Sequence, residues 1–451
     1  MERDTADTLT VEAEPKARPS GYGPGEAPTF DFYSKCVRCG LCLNSCPTYR
    51  ELGVEMDSPR GRIYQMIQVE RGRLPLSQSF VKHIDLCLDC RSCETACPSG
   101  VEYGRLVESA RGQIEKYYKR PVLQSFGRSL FLRQLLPYPN RLMLVGHLLD
   151  FYQRSGLEKL ILASGILKLL PGRLAEVARL APRIEKPFFY SQLGKVYPAE
   201  GERRFRVAFF AGCIANLTFV RLNEATIRVL QRNGCDVVVP SDQGCCGALH
   251  VHAGMRDLAR KLARRNIRSF LSDEFDAVIT NAAGCGSVLK EYPLLFEEEE
   301  RELYEPAKAF SARLKDVTEF LAGVELNRQL GEMRLRVTYQ DPCHLGHAQR
   351  IRSAPRRLLA AIPGLKFVEL KESEICCGSA GIYNVVHNEI AERLLAAKMQ
   401  RIEETGAEVI LTANPGCLLQ LRAGAARAGK KQRVLHVVEL LDEAYRAQNP
   451  N

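Results

Sequence analysis

No tryptophan occurs among the 451 residues of the chain, an absence that excludes nothing. Three further absences exclude more. No run of eighteen or more uncharged apolar residues is present, so no membrane-spanning helix is expected. No charged N-terminal region leads into an apolar stretch, so no secretory signal is expected, and a reducing, cytoplasmic setting follows. No G-x-G-x-x-G loop is found, so neither FAD nor NAD should sit on this chain. The 63 basic and 53 acidic side chains, a net charge of +10, are spread along the chain. Without a long basic block there is no dedicated nucleic-acid arm, although docking to an acidic partner or anionic lipid stays open. The length suits two to four domains with ample core for each.

What the chain has in quantity is cysteine, 17 in all. Eight fall in two boxes of the form C-x2-C-x2-C-x3-C-P: Cys36, Cys39, Cys42 and Cys46 with Pro47, then Cys87, Cys90, Cys93 and Cys97 with Pro98. This is the spacing that holds two 4Fe-4S clusters. Three thiolates on one tight loop face three corners of one cube, while the fourth, before the proline, ligates the other cube. The expected sets are Cys36, Cys39, Cys42 with Cys97, and Cys87, Cys90, Cys93 with Cys46. Zinc also takes four thiolates, but zinc modules separate two C-x2-C pairs by a longer loop.

Taken in order, residues 1–30 are polar and rich in Pro, Gly, Glu and Ala, and are expected to be disordered. A helical dicluster domain follows over 31–118. Between its boxes, Ile63, Met66, Ile67 and Val69 recur at helical spacing; Arg60 and Arg62 read best as solvated charge, the sharper alternative being hydrogen bonding beside the clusters. Residues 119–202 hold no cysteine. Residues 129–153 and 157–180 read as amphipathic helices interrupted by prolines, packed on a neighbouring domain or lying on a membrane surface.

From about 203 onward the chain repeats itself. RFRVAFFAGC aligns with RLRVTYQDPC, setting Cys213 opposite Cys343, 130 residues on. GCCGAL aligns with ICCGSAG, setting Cys245 and Cys246 opposite Cys376 and Cys377, and Cys285 stands opposite Cys417, 132 residues on. Each copy reads as short β-branched strands alternating with helices, the pattern of a parallel α/β unit. The predicted architecture is therefore a multidomain α+β protein, with two tandem cysteine-rich α/β domains over 203–330 and 331–451. All four cysteines of a copy follow strands, where functional loops gather in such sheets, so they should converge on one site. An open iron-sulfur cluster, a zinc ion completed by His250, His252, His344 or His347, and metal-free thiols or a redox-active disulfide are all compatible with each set. The histidines fit hydrogen-bonding roles better than ligation. Cys235, the seventeenth cysteine, opens a strand as a small apolar residue.

The two boxes with SPRGR between them, followed by NAAGCGS, DPCHL, CCGSAG and NPGC, resemble the iron-sulfur subunit family of glycolate oxidase (glycolate dehydrogenase), over about 31–445. The iron-sulfur subunits of lactate-utilisation and anaerobic glycerol-3-phosphate dehydrogenase complexes are similar at greater distance. The repeats, called CCG domains in this family, also look like the catalytic subunit of heterodisulfide reductases, thiol-disulfide enzymes. That pattern ends in C-x2-C, whereas Cys285 is followed by Val288 and Cys417 by Gln420, so each set lacks one thiolate. The resemblance implies a membrane-associated complex at the inner face of the cell membrane. In it a separate flavin subunit oxidises glycolate to glyoxylate, and this chain, with no catalytic residue of its own, passes electrons towards quinone.

Overall fold

The computed structural model describes residues 19–164, 182–271, 273–296 and 301–448. Part of the second linker pattern, 165–180, and the first 18 residues of the tail lie outside that description. A helical N-terminal region and linker are followed by two α/β units.

The dicluster region is built on the helix Pro59–Glu70. Ser58 caps it, accepting a hydrogen bond from the Gly61 amide at 3.0 Å, and Pro59 takes the first helical position, where its missing N–H costs nothing. Ile63, Met66, Ile67 and Val69 are all buried, packed with the helices Gln78–Asp85 and Tyr103–Tyr117. Two expectations fail here. Residues 19–29 are not a loose tail, because Tyr22 is buried in this core and the Gly21 amide donates to the Val69 carbonyl at 2.8 Å. Glu26 then pairs with Arg256 and Arg260 of the first repeat. One aromatic with a place in the core overrides the polar composition around it.

Arg62 is the second. It is fully buried, donating to the His83 carbonyl (2.7 Å) and Thr48 Oγ1 (3.1 Å), with Asp57 3.4 Å away. Arg60 behaves as expected, pairing with Glu55 near the surface. Removing one partner of a buried ion pair strands the other charge. Arg62→Met should therefore cost about 3–5 kcal/mol, measured as a lowered urea midpoint; an unchanged midpoint would mean the pair contributes nothing.

The linker forms the helices Val122–Arg128 and Pro139–Arg154, joined by a wide turn of helix at Ser129–Leu135, with Leu157–Ser164 beyond. Leu132, Leu136 and Leu142 pack on Phe188, Leu217 and Met255.

In the first repeat the strands β1 (Val196–Tyr197), β2 (Phe205–Phe210), β3 (Cys235–Val238), β4 (Ala277–Thr280) and β5 (Leu314–Asp316) lie in the order β1-β3-β2-β4-β5. In the second, β6 (Arg336–Tyr339), β7 (Lys366–Glu369), β8 (Val409–Thr412) and β9 (Arg433–His436) lie in the order β7-β6-β8-β9. Every pairing is parallel except that of β1, which joins antiparallel to β3 from the segment read as linker. The register repeats: Val207 pairs with Val237 and Ala277, and Val337 with Phe367 and Val409. Cys235 opens β3 and is fully buried.

The two repeats share one apolar core, running from Val207 and Phe209 to Val337, Tyr339 and Leu441. Arg228 and Asp442 clamp the helices Val220–Arg232 and Val437–Gln448 together with two hydrogen bonds, of 3.0 and 2.8 Å.

Candidate functional site

In each sheet the chain leaves one of two adjacent inner strands towards one edge and the other towards the opposite edge. The connection from β2 goes to β3, that from β4 to β5; β6 and β8 do likewise. This opens a crevice beyond the carboxyl ends of those strands, where ligands bind in open α/β sheets. The crevices of the two repeats face each other. The Gly284 amide donates to Asn414 Oδ1 at 3.1 Å, and Gln349 Nε2 to the Ala283 carbonyl at 3.0 Å.

As a result Cys213, Cys245, Cys246, Cys285, Cys343, Cys376, Cys377 and Cys417 line a single cavity of about 300 Å³. Two separate sites were expected from the repeat; the fold merges them into one chamber. The glycine after each cysteine pair takes a left-handed conformation, φ +83° at Gly247 and +89° at Gly378. A Cβ on Gly378 would lie 2.6 Å from the Ala391 carbonyl, so only glycine fits there. These turns aim amides back at sulfur: Gly247 N–H at Cys245 Sγ and Gly378 N–H at Cys376 Sγ, both at 3.5 Å. Hydrogen bonds from Cys376 and Cys417 hold Cys377 well below the usual thiol range. Contacts with Cys343 and Cys377, together with burial, push Cys376 up, and the contact with Cys377 and burial push Cys417 up.

The dicluster boxes repeat a backbone shape as well as a spacing. Arg38 and Gly40 in the first, Asp89 and Arg91 in the second, all have φ between +53° and +87°, so successive amides curl around a common centre. Burial divides the eight cysteines into two groups. Cys46, Cys87, Cys90 and Cys93 are buried and line one small cavity of about 20 Å³, with Arg62 and Tyr103 beside them. Cys36, Cys42 and Cys97 are half-buried and Cys39 is exposed. Cys46, though part of the first box, thus keeps company with the second. Burial, with Cys343 adding to it, drives the Cys90 thiol upward, and burial drives Cys93 the same way, so metal binding there must displace protons.

None of the 17 cysteines is joined in a disulfide. Thiol-only donor sets, inward-facing amides and a cavity walled by four sulfurs fit iron-sulfur clusters at the boxes. The chamber, with eight thiols, fits a thiophilic metal group as well.

A set of charged residues that sequence reasoning missed closes one side of the chamber. Asp89 and Glu108 of the dicluster region meet His252 of the first repeat, whose Nδ1 lies 3.1 Å from Asp89 Oδ2 and 3.2 Å from Glu108 Oε1. Arg91 pairs with Glu108 at 3.1 Å and with Glu291, and Arg111 approaches Asp89 at 3.6 Å. From the second repeat, His344 donates through Nε2 to the Asp89 carbonyl at 2.8 Å, its ring centroid 5.1 Å from that of His252. Burial favours neutral His252, but the hydrogen bonds and charges of Asp89 and Glu108 prevail and hold it up to about 9. Burial, helped by the charges of His252 and Arg91, pushes His344 down to about 4. Of its members the sequence singles out His252 and His344, but as candidate ligands for separate sites; Asp89 and Arg91 lie inside the second box, and no local pattern marks Glu108, Arg111 or Glu291. The other two histidines lie elsewhere: His250 donates to the Leu132 carbonyl at 2.7 Å, and His347 bridges Thr95 and the Glu374 carbonyl.

Comparison with known proteins matches residues 33–101 to a 4Fe-4S dicluster domain. Residues 123–181 match the linker region of glycolate oxidase iron-sulfur subunits, and 207–290 and 337–422 each match a cysteine-rich domain. The probable glycolate oxidase iron-sulfur subunit of Bacillus subtilis (strain 168) is 42% identical over 416 residues, 91% of this chain and 93% of its own length. The chain belongs to the glycolate oxidase iron-sulfur subunit family. The glycolate oxidase iron-sulfur subunit of Escherichia coli (strain K12) is 34% identical over the same shares. Lactate utilization protein A of Oceanobacillus iheyensis is 32% identical over 52% of this chain and 96% of its own. In this chain the matched dicluster and cysteine-rich segments bracket the matched linker, and Asp89, His252 and His344 meet where the dicluster region and the two repeats come together.

Proposed function

We propose that this chain is the electron-carrying subunit of a glycolate dehydrogenase complex. In this reading Cys36, Cys39, Cys42 and Cys97 hold an outer 4Fe-4S cluster, and Cys87, Cys90, Cys93 and Cys46 an inner one. Such clusters take up and release single electrons. The flavin, and the base that a 2-hydroxy acid oxidation requires, belong to a partner chain, and electrons leave towards quinone.

One observation carries this reading: Cys87 lines both the small four-cysteine cavity and the large chamber. The buried four-cysteine set thus adjoins the chamber of the repeats, and in this reading electrons pass from the outer cluster through the inner one towards it. Arg62 and Arg91 supply positive charge beside the inner set, which favours its reduced state. The eight chamber cysteines would hold either a further cluster that extends the path or a redox-inert structural zinc beside it.

The test is anaerobic iron, sulfide and zinc analysis of the complex, combined with substrate reduction. About eight irons per chain are expected from the boxes, with more iron, or zinc, from the chamber. Glycolate should bleach the visible absorbance only when the flavin subunit is present. If the isolated chain with reconstituted clusters turned glycolate into glyoxylate, the subunit reading would fail.

A further inference from the structure

Ten of the 21 exposed large hydrophobic side chains among the described residues lie between Val122 and Leu160. On the helix Val122–Arg128, Val122 and Leu123 are 86% and 84% exposed, with Phe126 one turn on. On Pro139–Arg154, Leu144, Leu148 and Phe151 follow at i, i+4 and i+7, each at least 60% exposed, a spacing that places them on one helical face. The inward sides of the same segments already fill the core at Leu132, Leu136 and Leu142, so these rows are surplus to folding. A soluble surface rarely carries such rows unless something covers them.

The charges say what covers them. Residues 119–164 contain seven Lys and Arg against two acids. Both acids are neutralised, Asp150 by Arg154 and Lys186 and Glu158 by Arg183. Four of the seven bases are likewise paired, Arg120 with Asp85, Arg128 and Arg133 with Glu115, and Arg154 with Asp150. Lys119, Arg141 and Lys159 are the bases without an acidic partner among the described residues. The face is therefore apolar with a thin basic rim, a composition that lies flat on an anionic lipid surface. Among the described residues no helix is long and apolar enough to cross a membrane.

We propose that the outer face of residues 122–160 is an interfacial seat on an anionic bilayer, which brings the rim of the eight-cysteine chamber to the lipid surface. The link is direct, since Gln124 and Arg128, on the same helix as Val122, Leu123 and Phe126, line that chamber. A lipid-soluble electron carrier would then reach the chamber without crossing bulk water. The surface argument stands independently of the electron-transfer reading.

Sedimentation of the full-length, cluster-loaded chain with phosphatidylcholine vesicles, with and without phosphatidylglycerol, tests the seat. The protein should pellet with the anionic vesicles and be partly released by salt. The double substitutions Leu123→Asp with Phe126→Asp, and Leu144→Asp with Leu148→Asp, should each lower partition about tenfold or more. These side chains are exposed, so circular dichroism and visible absorbance should stay at wild-type values. Three outcomes would overturn the proposal: wild type remaining in the supernatant with both vesicles, substituted chains pelleting as well as wild type, or hydrogen exchange over 122–160 slowing only when the flavin subunit is added. The last would make the face a protein interface. Because sedimentation does not read electron transfer, a failed seat leaves the subunit reading intact, and the reverse holds.

Discussion

Cys46→Ala should remove about four irons per chain, and the cluster lost should be the buried one, although Cys46 belongs to the first box. The reason is spatial. Cys46 is buried and shares its cavity with Cys87, Cys90 and Cys93, whereas Cys39 of its own box is exposed. An alanine leaves that inner set with three thiolates, and no other cysteine lines the cavity. The cluster that survives should be the one held at the exposed loop, readily oxidised by a hydrophilic oxidant such as ferricyanide. Cys97→Ala should give the opposite pattern, removing the cluster that ferricyanide reaches. Iron and sulfide analysis with electron paramagnetic resonance of both variants checks this. If Cys46→Ala spared the buried cluster and removed the exposed one, the crossed ligand sets would be wrong.

His252→Gln should destabilise the folded chain by about 3 kcal/mol at pH 6 and much less at pH 9. Asp89, Glu108 and Glu291 supply three negative charges, and Arg91 and Arg111 two positive ones. The junction balances only while His252 is protonated. Its folded-state value, about 9, lies above the ordinary imidazole value of 6.5. The stabilisation is thus complete below about pH 6.5 and is lost as pH rises through about 9. Glutamine keeps a donor but not the charge, so the wild-type advantage should shrink steadily across that window. Thermal midpoints of both proteins, taken at one scan rate from pH 6 to 9, measure it. A difference that stays constant with pH would mean that His252 contributes packing rather than charge.

These expectations differ in how far they could be read from the chain itself. The boxes, the repeat and the strands were legible because each is a local pattern. Ligand spacing, β-branched runs and the offset between copies survive in one dimension, and both copies do fold as short parallel strands alternating with helices. The edge strands β5 and β9 carry a weaker signal, because charged residues interrupt or flank their apolar runs and each passes directly into a helix. Arg62 was misjudged because a charged side chain looks solvated until its partners are known, and two of them, Thr48 and the His83 carbonyl, lie 14 and 21 residues away.

By itself the sequence determined which residue types are present and at what spacing: eight cysteines in two cluster boxes and eight more in a duplicated α/β unit. Only the tertiary structure decided their company. It joined two four-cysteine sets into one chamber and drew Asp89, His252 and His344 into one charged junction. It also selected which apolar side chains of 122–160 face outward. The physical reason is that burial and electrostatics depend on what packs against a residue. Here the decisive neighbours lie as far as 255 positions away, as with His344 and Asp89, beyond the reach of any local pattern.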